Sequence, residues 1–143
     1  MNNMTNPLDF DETQAERKQQ LKDGGLMVCV TGQHSCEKLL ERGAMLRRPG
    51  RKLYCVHCVQ TGKNFLNTVY EPLAIEFLFS CASLFDAELT ILRANNVLDA
   101  LCEFALTNKV STIVVGASPV HGPESFVAKL SARLNEIEFI VVE

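Results

Sequence analysis

Gly32-Gln33-His34-Ser35 follows an apolar run that ends at Thr31 and precedes a stretch of helical character beginning at Cys36. Backbone amides at a helix start suit an anion, and a glycine lets the chain come close to one. Gln33, His34 and Ser35 add side-chain hydrogen-bonding groups, so the chemistry on offer is phosphate binding. The competing reading makes Ser35 a plain helix cap. One glycine here is neither a dinucleotide fingerprint nor a P-loop. A second loop, Gly116-Ala117-Ser118-Pro119-Val120-His121-Gly122-Pro123, carries two glycines, a hydroxyl and an imidazole. Gly116, Ser118 and His121 are its candidate ligand contacts. The alternative is a rigid turn set by two prolines.

Other motifs promise less. Thr61-Gly62-Lys63-Asn64 has His57 where a P-loop needs its first glycine and Asn64 where it needs a hydroxyl, so it is not one. Cys55-Val56-His57-Cys58 has the look of a metal half-site. On a strand, residues three apart face opposite sides, and no second pair completes a zinc site. His57 lies near the end of its strand, where it either points toward a ligand or sits as a satisfied core histidine. Arg47, Arg48, Arg51 and Lys52 form the one basic cluster, at the amino side of the next strand, and are expected to be a solvated edge. No nucleophile elbow, zincin motif or Cys–His–Asp order is present, so no catalytic role is expected, and nucleotide hydrolysis has the least support.

The elements that must position these loops follow from periodicity. Leu26–Thr31 reads as a buried strand and Ser35–Arg48 as a helix stopped by Pro49-Gly50. Leu53–Val59 is a second strand, and a polar stretch then leads to a helix over about Glu71–Phe85. Glu88–Arg93 is a third strand. Asn96 caps the helix Val97–Thr107, Ser111–Gly116 is a fourth strand, Pro123 opens a helix to about Leu134, and Ile137–Val142 is a fifth strand. Strands separated by single helices imply right-handed crossovers. The expected fold is a doubly wound α/β domain, a five-stranded parallel sheet covered by helices on both faces, spanning residues 25–143. Residues 1–24 are expected to be a polar N-terminal arm, either loosely held or helical over Asp11–Lys22. In such a sheet ligands bind beyond the carboxyl ends of the strands where strand order reverses. If the first strand is central, the loops after strands one and four flank that point.

Composition bounds the rest. The chain has 143 residues and a net charge of −3, which gives no basic field for a nucleic-acid partner. No apolar run reaches the roughly 20 residues of a membrane span. The polar N-terminus lacks signal-peptide order, so a cytoplasmic location is expected. Cys29, Cys55, Cys58, Cys81 and Cys102 lie within apolar segments, and all six cysteines are expected to be free thiols. The apolar Phe139-Ile140-Val141-Val142 would leave an open sheet edge unless paired, which favours a homodimer through the last strand.

Several segments, in this order and spacing, resemble the universal stress protein (UspA-like) family. They are LMVCV with its polar loop and SCEKLLERGAMLRR; LYCVHCV; LFDAELTILRANNVLDALCEFALTNKVSTIVVGAS; and IEFIVVE. Within the family the likeness leans toward the cytoplasmic stress-protein-like domain of KdpD potassium-sensor histidine kinases. It covers about Leu26 to the C-terminus. The resemblance implies a Rossmann-like regulatory protein in signal transduction, with ATP or AMP as ligand. Its usual ATP grip uses an acidic residue after strand one and a G-x2-G-x9-G-[ST] pattern after strand four. Here Thr31 takes the acidic position. Gly116 keeps the first glycine, while Pro119 and Lys129 stand at or near the next two. The KdpD likeness implies cyclic di-AMP instead, contacted by Gly32–Ser35 and by Tyr54–His57, of which Ser35 and Tyr54 keep the expected chemistry. It also implies potassium or osmotic regulation, with a sensor kinase or potassium transporter as partner. The alternative is a ligand-free module that dimerises or docks.

Overall fold

Leu26, Val28 and Val30 alternate with Met27 and Cys29 along the first strand, and all five are buried. A strand that is apolar on both faces can be stable only between two layers of helices. The computed structural model describes residues 24–32, 35–63, 66, 71–117 and 122–143. The expected N-terminal arm therefore lies outside the described residues, apart from Gly24. The elements are β1 (Gly25–Cys29), α1 (Cys36–Leu46), β2 (Leu53–Gln60), α2 (Glu71–Leu84), β3 (Glu88–Ala94), α3 (Val97–Thr107), β4 (Val110–Gly116), α4 (Phe126–Arg133) and β5 (Glu138–Val142). They build one five-stranded sheet in the order β3-β2-β1-β4-β5. Every pairing is parallel. β1 is central, and the order reverses between β1 and β4.

Two core layers follow from strand alternation. Leu26, Val28, Leu53, Cys55 and Val114 face α1 and α2, where they meet Leu39, Leu40, Leu78 and Cys81. Met27, Cys29, Tyr54, Val56, Ile113 and Val115 face α3 and α4, against Leu101, Ala105 and Leu130. At Gly43 of α1 an added Cβ would lie 2.6 Å from Val28 Cγ2, so glycine lets this helix press onto the sheet. Cys55 and Cys58 belong to opposite layers, as strand geometry requires. All six cysteines are free thiols.

Element ends differ from expectation for local reasons. Asn96 caps α3 as expected, its side chain accepting from the Asp99 amide at 3.0 Å. α1 stops at Leu46 rather than Arg48, because the residue before Pro49 avoids the helical region and Arg47 is already extended. α4 does not begin near Pro123. Ser125 is its cap, accepting from the Ala128 amide at 3.1 Å, and Pro123 sits in the preceding turn.

Candidate ligand crevice

The carboxyl ends of β1 and β4 separate where the sheet order reverses, and two depressions open there. One, of about 460 Å³, is lined by Thr31, Ser35 and Lys38 from the β1–α1 side and by Gly116, Ala117 and Phe126 from the β4–α4 side. The other, of about 450 Å³, lies over β1 and β2 and is walled by Val56, Cys58, Val97, Leu98, Phe126 and Lys129. Cys29, Thr31 and Phe126 are common to both. The result is one split crevice of two largely apolar compartments, one carrying Thr31, Ser35, Lys38 and Glu143 and the other Gln60 and Lys129.

Each wall has a local cause. β1 ends its ladder at Cys29, yet the Val30 amide still bonds to the Val56 carbonyl at 2.9 Å, so the strand leaves the sheet only at Thr31. Ser35 occupies the cap position of α1 with helical backbone angles, and its side chain makes no capping bond. Its hydroxyl turns back and donates to the Gly32 carbonyl at 3.4 Å. The plain-cap reading of Ser35 therefore fails, and the amides of the first turn of α1 are not taken by it. Lys38, one turn further on, donates to the main-chain oxygen of Glu143 and so links α1 to the end of β5 across the crevice. Lys129 pairs with Glu124 at 3.6 Å.

Of the residues singled out from sequence, the fold brings Ser35 and Gly116 together at the crevice. Gly32 lies beside it, half-buried, in the turn that Ser35 closes. Gln33, His34, Ser118 and His121 lie outside the described residues. Tyr54 does not join the others. It sits at the amino end of β2, 6% exposed, with its ring edge-on to Phe104 at 5.3 Å under α3. A position early in β2 cannot reach a site beyond the strand's far end. His57 is 5% exposed and serves the core. Its Nδ1 donates to the Val30 carbonyl at 2.6 Å, and its Nε2 accepts the Leu66 amide at 2.9 Å. Burial holds its pKa below the ordinary value, against the opposing pull of the Val30 carbonyl.

Sequence reasoning missed Lys38, Phe126, Val56 and Leu98 as wall residues. Strand parity signals Val56, which points to the α3 side at mid-strand in β2, level with Cys29 at the end of β1. Phe126 carries no sequence signal beyond its place after the second loop. The thiols in the wall are not poised nucleophiles. Burial pushes Cys29 up to about 12, with Cys58 adding to the rise, and burial raises Cys58 as well. Among the described residues no group of three or more His, Cys, Asp or Glu side chains could hold a metal ion. No described helix is long and apolar enough to cross a membrane.

This architecture is that of universal stress proteins. The chain is similar to a universal stress protein from Archaeoglobus fulgidus, with TM-score 0.58 and 21% identity over 83% of this chain and 93% of that one. It is also similar to a universal stress protein solved in complex with cAMP, with TM-score 0.57 and 14% identity over 83% of this chain and 96% of that one. At such identities the likeness establishes the shared fold. No protein-family model and no curated protein matches the sequence.

Proposed function

We propose that this chain is a non-catalytic regulatory protein of the universal stress protein class that binds an adenine nucleotide in the split crevice. The observation that carries the reading is a split crevice at the strand-order reversal, with one compartment beside Leu98 and Phe126 and the other carrying Ser35, Lys38 and the Gly116–Ala117 backbone. A purine ring would lay its faces against Leu98 and Phe126, with Gln60 on the same wall to meet its polar edge. Phosphate fits the other compartment, against Lys38, the Ser35 hydroxyl and the backbone at Gly116 and Ala117. Thr31 at the end of β1 carries a hydroxyl rather than a carboxylate, so the ribose loses an anionic acceptor and phosphate contacts supply more of the affinity. The cAMP bound by a protein of the same fold supports a nucleotide over other ligands. AMP, ATP, cAMP and cyclic di-AMP are the ligands to compare.

Thermal unfolding of the full chain with each nucleotide is the test. A ligand at 100 times its Kd should add about 2.7 kcal/mol of stability. Leu98→Asp, which places a carboxylate on the half-buried wall of the purine slot, should abolish that shift. No shift with any of the four removes the proposal.

A second reading has its own observation. Among the described residues β5 pairs with β4 alone, and Val141 is 46% exposed, so they leave that sheet edge uncovered. In that reading the chain works by dimerising through β5, or by docking there a sensor kinase or potassium transporter.

A further inference from the structure

We propose that His57 is an acid-released latch: a proton taken up at its Nε2 breaks the bond to the Leu66 amide and lets Leu66 leave the core while the sheet stays folded.

The two partners of the ring set its chemistry. The Val30 carbonyl can only accept, so Nδ1 carries the hydrogen. The Leu66 amide can only donate, so Nε2 must be bare. Neutral histidine satisfies both partners in that one tautomer. The imidazolium carries a hydrogen on each nitrogen. It keeps the Val30 bond, but at Nε2 two N–H groups then face each other across 2.9 Å. Two facing buried donors repel and leave each other unsatisfied, so one side must yield.

Leu66 is the side that can. Val30 is tied into the sheet by its own amide, which bonds to the Val56 carbonyl at 2.9 Å. Leu66 belongs to neither β2 nor α2, and it takes φ 50°, which costs a leucine energy. Its side chain is 3% exposed among the apolar residues under α1 and α2, so release bares apolar surface. That cost keeps the latch shut at neutral pH. Because the cation keeps its bond to Val30, the end of β1 and the crevice beyond it stay in place, and the latch is independent of nucleotide binding.

The surroundings favour the neutral ring. His57 stands between Cys55 and Val59 on the strand face toward α1 and α2, whose titratable groups in that layer are the thiols of Cys36 and Cys81. Contact with Cys55 and burial raise the pKa of Cys36, and burial raises Cys81 to about 11, so neither supplies a negative charge. From β3, the positive charge of Arg93 opposes the imidazolium, and Arg93 itself pairs at 3.4 Å with Glu71 at the start of α2. Once Leu66 is released, the ring regains water and its ordinary pKa of 6.5. The open fraction therefore grows about tenfold between pH 7.5 and pH 5.5.

Amide hydrogen exchange on the full chain tests the latch, read as a protection factor so that the pH dependence of exchange itself is removed. Protection at Leu66 should fall about tenfold from pH 7.5 to pH 5.5. It should be unmoved by about 1 M urea, because a local opening exposes little surface. Protection at Val28 and Val114 should drop in the same urea, since these amides exchange only when the sheet itself opens. His57→Gln, whose side chain does not titrate, should remove the pH step at Leu66 whatever protection remains. In the native chain the ring nitrogen shifts of His57 should show hydrogen on Nδ1 and a bare Nε2 above neutral pH. A Leu66 amide that is unprotected at pH 7.5, flat with pH, or urea-dependent in step with Val28 and Val114 overturns the proposal. So does a pH step that survives in His57→Gln, or the opposite ring tautomer.

Discussion

His57 shows how one side chain can tie a ligand crevice to the core without entering it. Its two ring nitrogens bridge the Val30 carbonyl, at the end of β1, and the Leu66 amide, in the connection after β2. Leu66 is buried with φ 50°, a left-handed conformation that a leucine avoids unless it is held. His57→Phe would leave both backbone groups without this partner, at a cost of about 2–4 kcal/mol from two unsatisfied buried groups, read as a lower urea midpoint. The pH dependence follows from the lowered pKa. The unfolded chain takes up the proton near the ordinary 6.5 while the folded chain resists it, so stability is full above that value and declines as pH falls below it. His57→Phe should flatten that decline, and an unchanged slope would remove His57 as its cause. The sequence placed His57 near the right strand end and offered both a ligand and a core role. It could not decide between them, because the deciding partners, Val30 and Leu66, are distant in the chain. Tyr54 misled for a related reason. Its type suits a ligand, while its place early in β2 gives it to the core.

At the scale of elements, α1 shows packing and propensity in conflict. Gly43 lies inside a helix, where alanine would be intrinsically better by about 1 kcal/mol. Against that, a Cβ there would meet Val28 Cγ2 at 2.6 Å and Leu53 Cδ1 at 3.0 Å, both on fully buried strands. Overpacking of this kind costs about 1–3 kcal/mol. Gly43→Ala is therefore expected to destabilise by about 1 kcal/mol net in urea titration, and a raised midpoint would contradict the close-approach account. Caps divide along the same line between local and non-local information. Asn96 was legible because cap, helix and apolar face sit together in sequence. Ser125 was not, because Pro123 offers an equally good helix start on local grounds. At Ser35 the residue type is right for a cap, and the backbone angles turn its hydroxyl elsewhere.

For the molecule as a whole, the parallel sheet was legible from alternation and handedness, and its carboxyl edge with it, while the strand order was not, because it depends on which non-neighbouring strands pair. Nor was the convergence of Lys38, Phe126 and Val56, since it depends on how far each helix start stands from the sheet. The same strand order leaves β5 at an edge. If that edge pairs with a second copy, light scattering gives a dimer mass, and Val141→Lys, placing a charge on the exposed strand, gives a monomer. A native chain of monomer mass would exclude edge pairing. The doubly wound plan also sorts the thiols, with Cys36, Cys55 and Cys81 in one helix–sheet layer and Cys29 and Cys102 in the other. Each layer thus carries its own chemical clock. Half-buried Cys58 aside, an alkylating reagent reaches a thiol only when its layer parts from the sheet, so the order in which the two buried sets are labelled records which half of the protein opens first.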